Sequence, residues 1–423
     1  MDKLVIEGGK KLSGEVMISG AKNAALPIMA SAILAPGKHV FENVANLKDI
    51  LTMCHLLETL GAKVDHSKLA SQNIITIDCT EIKSLRAPYE LVKTMRASIL
   101  ALGPLYARCG RAEVSFPGGC AIGSRPVDQH LKGLEMLGAK VSIEHGYIYA
   151  ERQTTRAAEV TFDMVTVTGT ENVMMAAVLT PGKTVLVNTA QEPEVVDLAN
   201  YLVKMGANIK GHGTDRIEIE GVKKLIPSTY KIMPDRIETG TYMAAAAITG
   251  GELTLKNANP GHLESVISKL REAGAGVEES DHHLKITGSA KIRGVDIRTA
   301  PYPGFPTDMQ AQMMALLSLA DRGLSVITET IFENRFQHAL ELQRMGANLK
   351  LEGNRAIVTG VKKLSGAKVM ATDLRASASL VLAGLAAQGT TEVSRVYHLD
   401  RGYEKMEEKL GAVGAEIKRE KEE

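Results

Sequence analysis

The sequence has no tryptophan, and aromatic residues make up only 4% of it. Its core must therefore consist of aliphatic side chains and methionine. The net charge is also close to zero, because 49 Asp and Glu residues balance 50 Lys and Arg residues. A formal net charge of +1 gives no long-range attraction for a polyanion, so we predict no nucleic-acid partner. Any basic site must be local, which suits a small anionic ligand.

Long apolar runs, export signals and metal motifs are missing as well. The longest apolar stretch, residues 24–35, is too short to span a bilayer and contains Pro27. No signal peptide precedes the first strand-like run. The four cysteines form no Cys-X-X-Cys pair and no metal-like group with histidine, and no Walker loop occurs. We predict a cytoplasmic protein without membrane association, metal or cofactor.

One unit of about 70 residues occurs six times along the chain. An amphipathic segment leads to Gly-Ala and then to a strand-like run, at residues 61–62, 138–139, 206–207, 274–275, 346–347 and 414–415. Each unit also holds a short, almost wholly apolar helix, followed by a glycine and a β-branched strand. These patterns predict an α/β protein of two domains with three units each, in which apolar helices form the centre and sheets pack around them.

The break between the two domains is predicted near Met233-Pro234, between the third and fourth units. The first strand, residues 3–7, precedes the first full unit and is expected to complete the last one. The predicted domains are therefore residues 22–233 and residues 1–21 together with 234–423.

The second unit is about four residues longer than the others, and the surplus lies in the Gly- and Pro-rich loop of residues 116–126. Insertions in repeats form loops, often on the binding face. Cys120 lies in this loop, and the nearby Arg125 could stabilise its thiolate. Local composition supports two interpretations of Cys120 equally well. It is either a reactive thiol acting as acid or nucleophile, or an incidental surface cysteine. The cysteines within helix or strand patterns (54, 79 and 109) are predicted to be inert.

Basic residues stand where the apolar helices begin, namely Lys22, Arg96, Arg236 and Arg375. A cation at a helix N-terminus opposes the helix dipole unless an anion is bound there too. If the helices of each domain start at a common end, the two domains enclose a cleft for anions. The alternative is that each arginine pairs with a neighbouring acid, as Arg375 would with Asp373.

Several longer motifs resemble the UDP-N-acetylglucosamine 1-carboxyvinyltransferase family, and the resemblance runs from the first strand to the last helix. The motifs are Gly-Ala-Lys-Asn at 20–23, Lys-Thr-Met-Arg at 93–96, Pro-Gly-Gly-Cys at 117–120, Pro-Thr-Asp-Met-Gln-Ala-Gln at 306–312 and Asp-Leu-Arg-Ala-Ser-Ala-Ser at 373–379. Pro-Gly-Gly-Cys alone would be a weak signal, but several long motifs in order are specific.

The resemblance implies an inverse α/β barrel fold with two three-repeat domains, helices inside and the active site in the cleft between them. It also implies transfer of the enolpyruvyl group of phosphoenolpyruvate to the 3-hydroxyl of UDP-N-acetylglucosamine, with release of phosphate. This reaction is the first committed step of peptidoglycan synthesis. The family needs neither metal nor cofactor, and its partners here would be the two small-molecule substrates.

The family's residue roles are carried over position by position. Cys120 resembles the general acid, which can hold a phospholactoyl adduct and is alkylated by fosfomycin, and Asp308 resembles the general base. The residues that resemble phosphoenolpyruvate ligands are Lys22, Asn23, Arg125, Arg375 and Arg401, of which Lys22, Asn23 and Arg401 also count as catalytic. Those that resemble ligands of the sugar nucleotide are Arg96, Arg125, Pro126, Val127, Asp128, Gln129, Met164, Val165, Thr166, Val167, Asp308 and Ile331.

One position departs from part of the family. Some members have a lysine in place of Met164, pairing with the nucleotide phosphates, and the segment 168–170 is expected to supply donors instead. The loop of Cys120 is expected to close as a lid when the sugar nucleotide enters.

Two alternatives stay open at this point. A 5-enolpyruvylshikimate-3-phosphate synthase shares the architecture and the chemistry but has no cysteine loop of this kind. A ring scaffold of six repeats, such as a DNA clamp, would use the same repeat count without catalysis. The chain is predicted to be a monomer or a weak homo-oligomer.

Overall fold

The computed structural model describes residues 2–117, 127–321 and 323–422. The strands are β1 Asp2–Glu7, β2 Ser13–Met17, β3 Lys38–Glu42, β4 Lys63–Asp65, β5 Ile75–Asp78, β6 Arg86–Ala87, β7 Arg111–Ser115, β8 Ala139–Glu144, β9 Tyr147–Arg152, β10 Glu159–Thr161, β11 Lys183–Val187, β12 Asn208–Lys210, β13 Arg216–Glu220, β14 Thr229–Lys231, β15 Glu252–Lys256, β16 Gly276–Ser280, β17 His283–Thr287, β18 Ile297–Arg298, β19 Leu324–Thr328, β20 Asn348–Glu352, β21 Arg355–Thr359, β22 Lys368–Met370, β23 Thr390–Ser394 and β24 Glu416–Lys421.

The α-helices are α1 Lys22–Ser31, α2 Lys48–Leu60, α3 Leu69–Gln72, α4 Tyr89–Val92, α5 Leu102–Cys109, α6 Asp128–Met136, α7 Val167–Ala177, α8 Pro193–Lys204, α9 Arg236–Thr249, α10 Glu264–Glu272, α11 Gln310–Leu317, α12 His338–Arg344, α13 Leu374–Ala386 and α14 Met406–Ala412. Short 3₁₀ segments of one or two turns span Ala32–Leu34, Arg96–Ala101, Pro260–His262, Thr307–Met309 and Val396–Arg401.

Six four-stranded sheets with one common plan account for the strands of the described residues. In each sheet, a short strand pairs in parallel with the strand that follows an apolar helix, as β10 does with β11. That second strand pairs antiparallel with a third, and the third pairs antiparallel with a strand at the other edge, as in β11-β13-β12. Five of the six parallel edge strands were not predicted, because they have only two or three residues, too few to show a hydrophobic period.

The N-terminal strand β1 lies inside the sheet of the last repeat. It pairs antiparallel with β23 on one side and with β24 on the other, and Asp2 is in register with Lys421. The next strand, β2, pairs in parallel with β15 of the fourth repeat. The prediction that the first strand completes the last unit is therefore confirmed.

The Gly-Ala pairs end amphipathic helices, as the repeat predicts. The glycine of each pair has a positive φ, between 91° and 108°. A side chain at this backbone conformation would be strained, so glycine is the residue that stops each helix and turns the chain toward the next strand.

Two compact units contain the described residues, and each has its own hydrophobic core. Unit N comprises residues 20–117 and 127–233. Unit C comprises residues 2–19, 234–321 and 323–422. The chain passes between them at Ser19–Gly20 and at Met233–Pro234.

Apolar helices form the centre of each unit. In unit C the helices α9, α11 and α13 pack against one another and are buried on nearly every side. In unit N α5 packs on α7, and the turn Arg96–Ala101 packs on α1 and α7. Such helices have no polar face to turn toward water, so the sheets must surround them.

No helix in the described parts of the chain has the length and apolar character needed to cross a membrane. The described residues likewise contain no group of three or more His, Cys, Asp or Glu side chains arranged to hold a metal ion.

Candidate active site

Lys22 opens helix α1 of unit N and is almost buried. Its ammonium group lies 3.3 Å from the carboxylate of Asp49 on α2, and the two side chains are only 11% and 5% exposed. A buried lysine at a helix N-terminus faces the positive end of the helix dipole, so the nearby carboxylate compensates for an unfavourable position. Asn23, the next residue, is exposed. Sequence analysis missed Asp49, because nothing in the local pattern distinguishes it from a residue of the first helical turn.

Arg96 begins the 3₁₀ segment that leads into α5, and its positive charge disfavours the protonated form of His130 on α6. Burial, reinforced by Arg96, lowers the pKa of His130 to about 4. The imidazole lies 2.9 Å from the Asn172 amide nitrogen and 3.2 Å from the Thr168 hydroxyl, both on α7. His130 thus joins α6 to α7 through two contacts and lies within the electrostatic influence of Arg96.

Among the residues expected to bind the sugar nucleotide, the described parts of the two segments, 127–129 and 164–167, lie side by side in unit N. Gln129, next to Val127 and Asp128 at the start of α6, donates to the Asp163 carboxylate at 3.1 Å. It accepts in return from the Asp163 backbone N–H at 2.9 Å. Asp163 directly precedes the expected segment 164–167, so this reciprocal pair joins the two.

Met164 and Val165 are exposed, with fractional exposures of 55% and 37%. The donors expected to replace the missing lysine at 164 are used within the protein. The Gly169 N–H caps α7 on the Thr166 hydroxyl, and the Thr170 hydroxyl donates to the Thr166 carbonyl. The expectation stays a prediction, and Lys132 lies 2.7 Å from Asp163, the residue before Met164.

Asp308 lies between two arginines in unit C. Arg335 donates to one carboxylate oxygen at 2.7 Å, and Arg375 lies 3.0 and 3.1 Å from the other through two of its nitrogens. The arginine side chains are 5% and 3% exposed, while that of Asp308 is 26% exposed. Charge-assisted bonds from both sides favour the ionised carboxylate. The Asp308 carboxylate is therefore an ion-paired anion that keeps partial exposure to solvent.

Arg375 does not pair with its sequence neighbour through its side chain. The Asp373 carboxylate instead caps α13 by accepting the backbone N–H groups of Arg375 and Ala376. The guanidinium lies over the ring of Tyr403 at 5.3 Å. Its Nη1 is buried and has no hydrogen-bond partner among the described residues. The structure therefore leaves one buried donor of Arg375 without a hydrogen-bond acceptor among the described residues.

Arg401 ends the 3₁₀ turn Val396–Arg401, and a second arginine fixes the adjoining residue. Arg419 on β24 donates to both oxygens of Asp400, at 3.1 and 2.6 Å, and to Glu407 at 2.7 Å. This bidentate pair ties the turn that carries Arg401 to the sheet. Sequence analysis missed Arg419, which lies in a run of charged residues.

The remaining expected site residues divide as follows. Ile331 is half-buried in the loop after β19. Cys120, Arg125 and Pro126, with the expected lid loop, lie outside the described residues. Cys54 and Cys79 are buried, and burial raises the pKa of each thiol to about 12, in agreement with the expectation that they are inert. Cys109 is exposed, and partial burial raises its thiol pKa.

Relatives of known name match the chain over its full length. A family model described as EPSP synthase (3-phosphoshikimate 1-carboxyvinyltransferase) matches residues 6–410. A UDP-N-acetylglucosamine 1-carboxyvinyltransferase of Geotalea uraniireducens is 59% identical over 419 residues, which cover 99% of both chains. One of Geobacter metallireducens is 57% identical over 422 residues, covering 100% of both. This chain belongs to the UDP-N-acetylglucosamine 1-carboxyvinyltransferase family.

Solved structures support the fold of this family member. The enolpyruvyl transferase NikO of Streptomyces tendae matches with a TM-score of 0.89 at 25% identity, over 100% of this chain and 99% of the other. An EPSP synthase of Acinetobacter baumannii matches with a TM-score of 0.76 at 19% identity, over 100% of both, and so shares the fold. The predicted fold class and transferase activity are confirmed, and both alternatives fit less well.

Proposed function

We propose that this transferase moves the enolpyruvyl group of phosphoenolpyruvate to the 3-hydroxyl of UDP-N-acetylglucosamine and releases phosphate. The observation that carries the proposal is the 59% identity, over 99% of both chains, to a relative named for this reaction. The charges of unit N and unit C fit the substrates, since buried cations at helix starts suit phosphate and carboxylate groups. The reaction would commit the sugar nucleotide to peptidoglycan synthesis.

The proposed chemistry consists of an addition and an elimination. The Cys120 thiol protonates the methylene carbon of phosphoenolpyruvate, and the neighbouring carbon becomes electrophilic. The sugar 3-hydroxyl attacks that carbon and passes its proton to Asp308. In the elimination, the Cys120 thiolate takes back a methyl proton and phosphate leaves with the proton held by Asp308. This restores the double bond and both side chains and leaves the enolpyruvyl ether. Asn23 donates to the tetrahedral centre.

Cations balance the phosphate and carboxylate groups throughout this sequence. Lys22, Arg125 and Arg401 hold phosphoenolpyruvate, and the unpartnered Nη1 of Arg375 suits its carboxylate. When a bound anion shares the guanidinium of Arg375, that group stabilises the Asp308 carboxylate less strongly. Asp308 then becomes a stronger base at the moment when the sugar hydroxyl is in place.

The sugar nucleotide binds Arg96, the segments 125–129 and 164–167, Asp308 and Ile331 in this proposal. Gln129 and Asp163, bonded at 3.1 and 2.9 Å, hold the two segments together. Lys132 supplies the positive charge that Met164 lacks.

The test is phosphate release from phosphoenolpyruvate, with UDP-N-acetylglucosamine or shikimate 3-phosphate as the acceptor. We expect release only with the sugar nucleotide. Phosphate release with shikimate 3-phosphate alone would show that the chain catalyses the other enolpyruvyl transfer. No phosphate release from a folded sample would contradict catalysis.

Fosfomycin labelling tests the role of Cys120. Cys120→Ser should abolish alkylation, whereas Cys109→Ser, which removes an exposed thiol elsewhere, should leave it unchanged. Undiminished labelling of the Cys120 variant would remove that residue from the site.

We also propose that the enzyme works in the cytoplasm as a monomer or a weak homo-oligomer, without nucleic-acid or membrane partners. Light scattering over a range of protein concentrations checks the oligomeric state. A stable dimer at nanomolar concentration would contradict it.

A further inference from the structure

Glu329 is a buried carboxylate just beyond the end of β19 in unit C, and it is 2% exposed. One of its oxygens accepts from the Thr299 hydroxyl at 2.9 Å and from the backbone N–H groups of Ile331 and Phe332 at 2.8 and 3.2 Å. The other accepts from the Thr307 hydroxyl at 2.8 Å. A buried acidic group is costly unless donors surround it, and here four donors do.

The Thr307 hydroxyl has its direction fixed by its two neighbours. Arg335 Nη1 lies 3.1 Å from the hydroxyl oxygen and can only donate, so that oxygen must accept. The single hydroxyl proton must then point to the Glu329 carboxylate. Replacing the carboxylate by a donor would break this order.

The same arginine contacts the proposed base. Arg335 Nη2 donates to Asp308 at 2.7 Å, so the guanidinium bridges Thr307 and Asp308. Glu329 meanwhile holds the backbone of Ile331, the proposed contact to the sugar nucleotide. One buried carboxylate therefore fixes both the cation beside the base and the loop beside the substrate.

We infer that Glu329 is a positioning residue for the transfer reaction, acting through the Thr307 hydroxyl to orient Arg335 onto Asp308 while it fixes the Ile331 loop. The inference rests on the proposed function, since it presumes that Asp308 takes the proton of the sugar hydroxyl. Glu329 touches neither substrate in this scheme.

Three variants of the full-length enzyme test the chain of bonds. Thr307→Val keeps the shape and removes the hydroxyl, Thr307→Ser keeps the hydroxyl, and Glu329→Gln puts an amide donor where Thr307 needs an acceptor. Because small misplacement of a reacting group costs up to about 100-fold, we expect kcat to fall roughly 10- to 100-fold for the valine and glutamine variants. The serine variant should recover most of the rate.

Two readouts separate positioning from a general loss of structure. The KM for phosphoenolpyruvate should stay within about two-fold of wild type, because the cations proposed to bind it are untouched. The acid limb of the kcat–pH profile should move to higher pH in the valine and glutamine variants, since a displaced Arg335 favours the ionised form of Asp308 less strongly. Urea unfolding confirms that each variant is folded.

The outcomes are distinct for the two levels of the proposal. If the wild-type enzyme turns over both substrates and the valine and glutamine variants match its kcat and pH profile, the inference fails and the proposed function stands. If Thr307→Ser is as impaired as Thr307→Val, packing and not the hydroxyl is responsible, and the inference also fails. If the wild-type enzyme releases no phosphate, the proposed function fails and the inference falls with it.

Discussion

Replacing Asp308 by alanine should weaken the protein as well as stop the reaction. The two arginines around this carboxylate have side chains that are 5% and 3% exposed, so the variant leaves two buried cations without their shared anion. Removing one partner of a buried ion pair costs about 3–5 kcal/mol. Because Asp308 is 26% exposed and water can enter its place, we expect about 2–4 kcal/mol. That corresponds to a fall in Tm of roughly 4–16 °C for a domain of this size.

Calorimetry and phosphate release measure the two effects of Asp308→Ala separately. Turnover should fall by roughly 10²–10⁴-fold, the contribution of a general base. Asp281→Ala is the matched control, since it removes an exposed carboxylate in a hairpin turn of the same unit and should change stability by no more than about 0.5 kcal/mol. If Asp308→Ala were as stable as this control, the carboxylate would not neutralise the arginines. Turnover close to wild type would show that another group is the base.

Three further predictions concern other parts of the structure. Arg419→Gln should raise the KM for phosphoenolpyruvate several-fold, because it releases the carboxylates that fix the turn ending at Arg401. Lys418→Gln, on the exposed side of the same strand, should leave this KM unchanged. Equal KM values for the two variants would contradict the role of Arg419. Burial raises the pKa of Asp197 to about 6, against the lowering effect of its bonds to Tyr230 and the Met233 N–H, so the folded protein binds an extra proton between pH 3.8 and 6. The unfolding free energy of wild type minus that of Asp197→Asn should therefore fall by roughly 2 kcal/mol from pH 4 to pH 7, and a difference independent of pH in urea titrations would refute it. Iodoacetamide at pH 8 should label neither buried thiol, Cys54 nor Cys79, until urea unfolds the chain; mass spectrometry that finds either labelled in the native protein would contradict their burial.

The repeat architecture could be predicted from sequence because its signals are local. Each glycine that ends an amphipathic helix needs a positive φ, and each apolar helix is recognisable from its composition alone. The paired edge strands were missed because Arg86–Ala87 and Ile297–Arg298 are too short to show alternation. Their pairing depends on the strands that follow the helices and only the folded chain shows it.

The candidate site was predictable only in part, because sequence patterns show local features and not contacts between distant residues. A basic residue at the start of an apolar helix is visible in the sequence, and so Lys22 and Arg375 could be singled out. The partners of these residues could not, since Asp49 and Asp308 are 27 and 67 residues away and become neighbours through packing. Glu329 was missed for the same reason, because its contact with Thr307 spans 22 residues, and the pairing of Arg335 with Asp308 spans 27.

The pairing of β1 with β24 brings the two ends of the chain to one sheet, with Asp2 opposite Lys421. Unit N is formed by an almost uninterrupted stretch of the sequence. Unit C cannot complete its folding during synthesis until β24 has been made and can pair with β1. A circular permutant that joins Glu422 to Asp2 through a short linker and opens the chain between Met233 and Pro234 would encode unit C as one continuous segment, from Pro234 through the linker to Ser19. Each half could then be produced from its own gene, so that the contribution of either half to ligand binding can be measured alone.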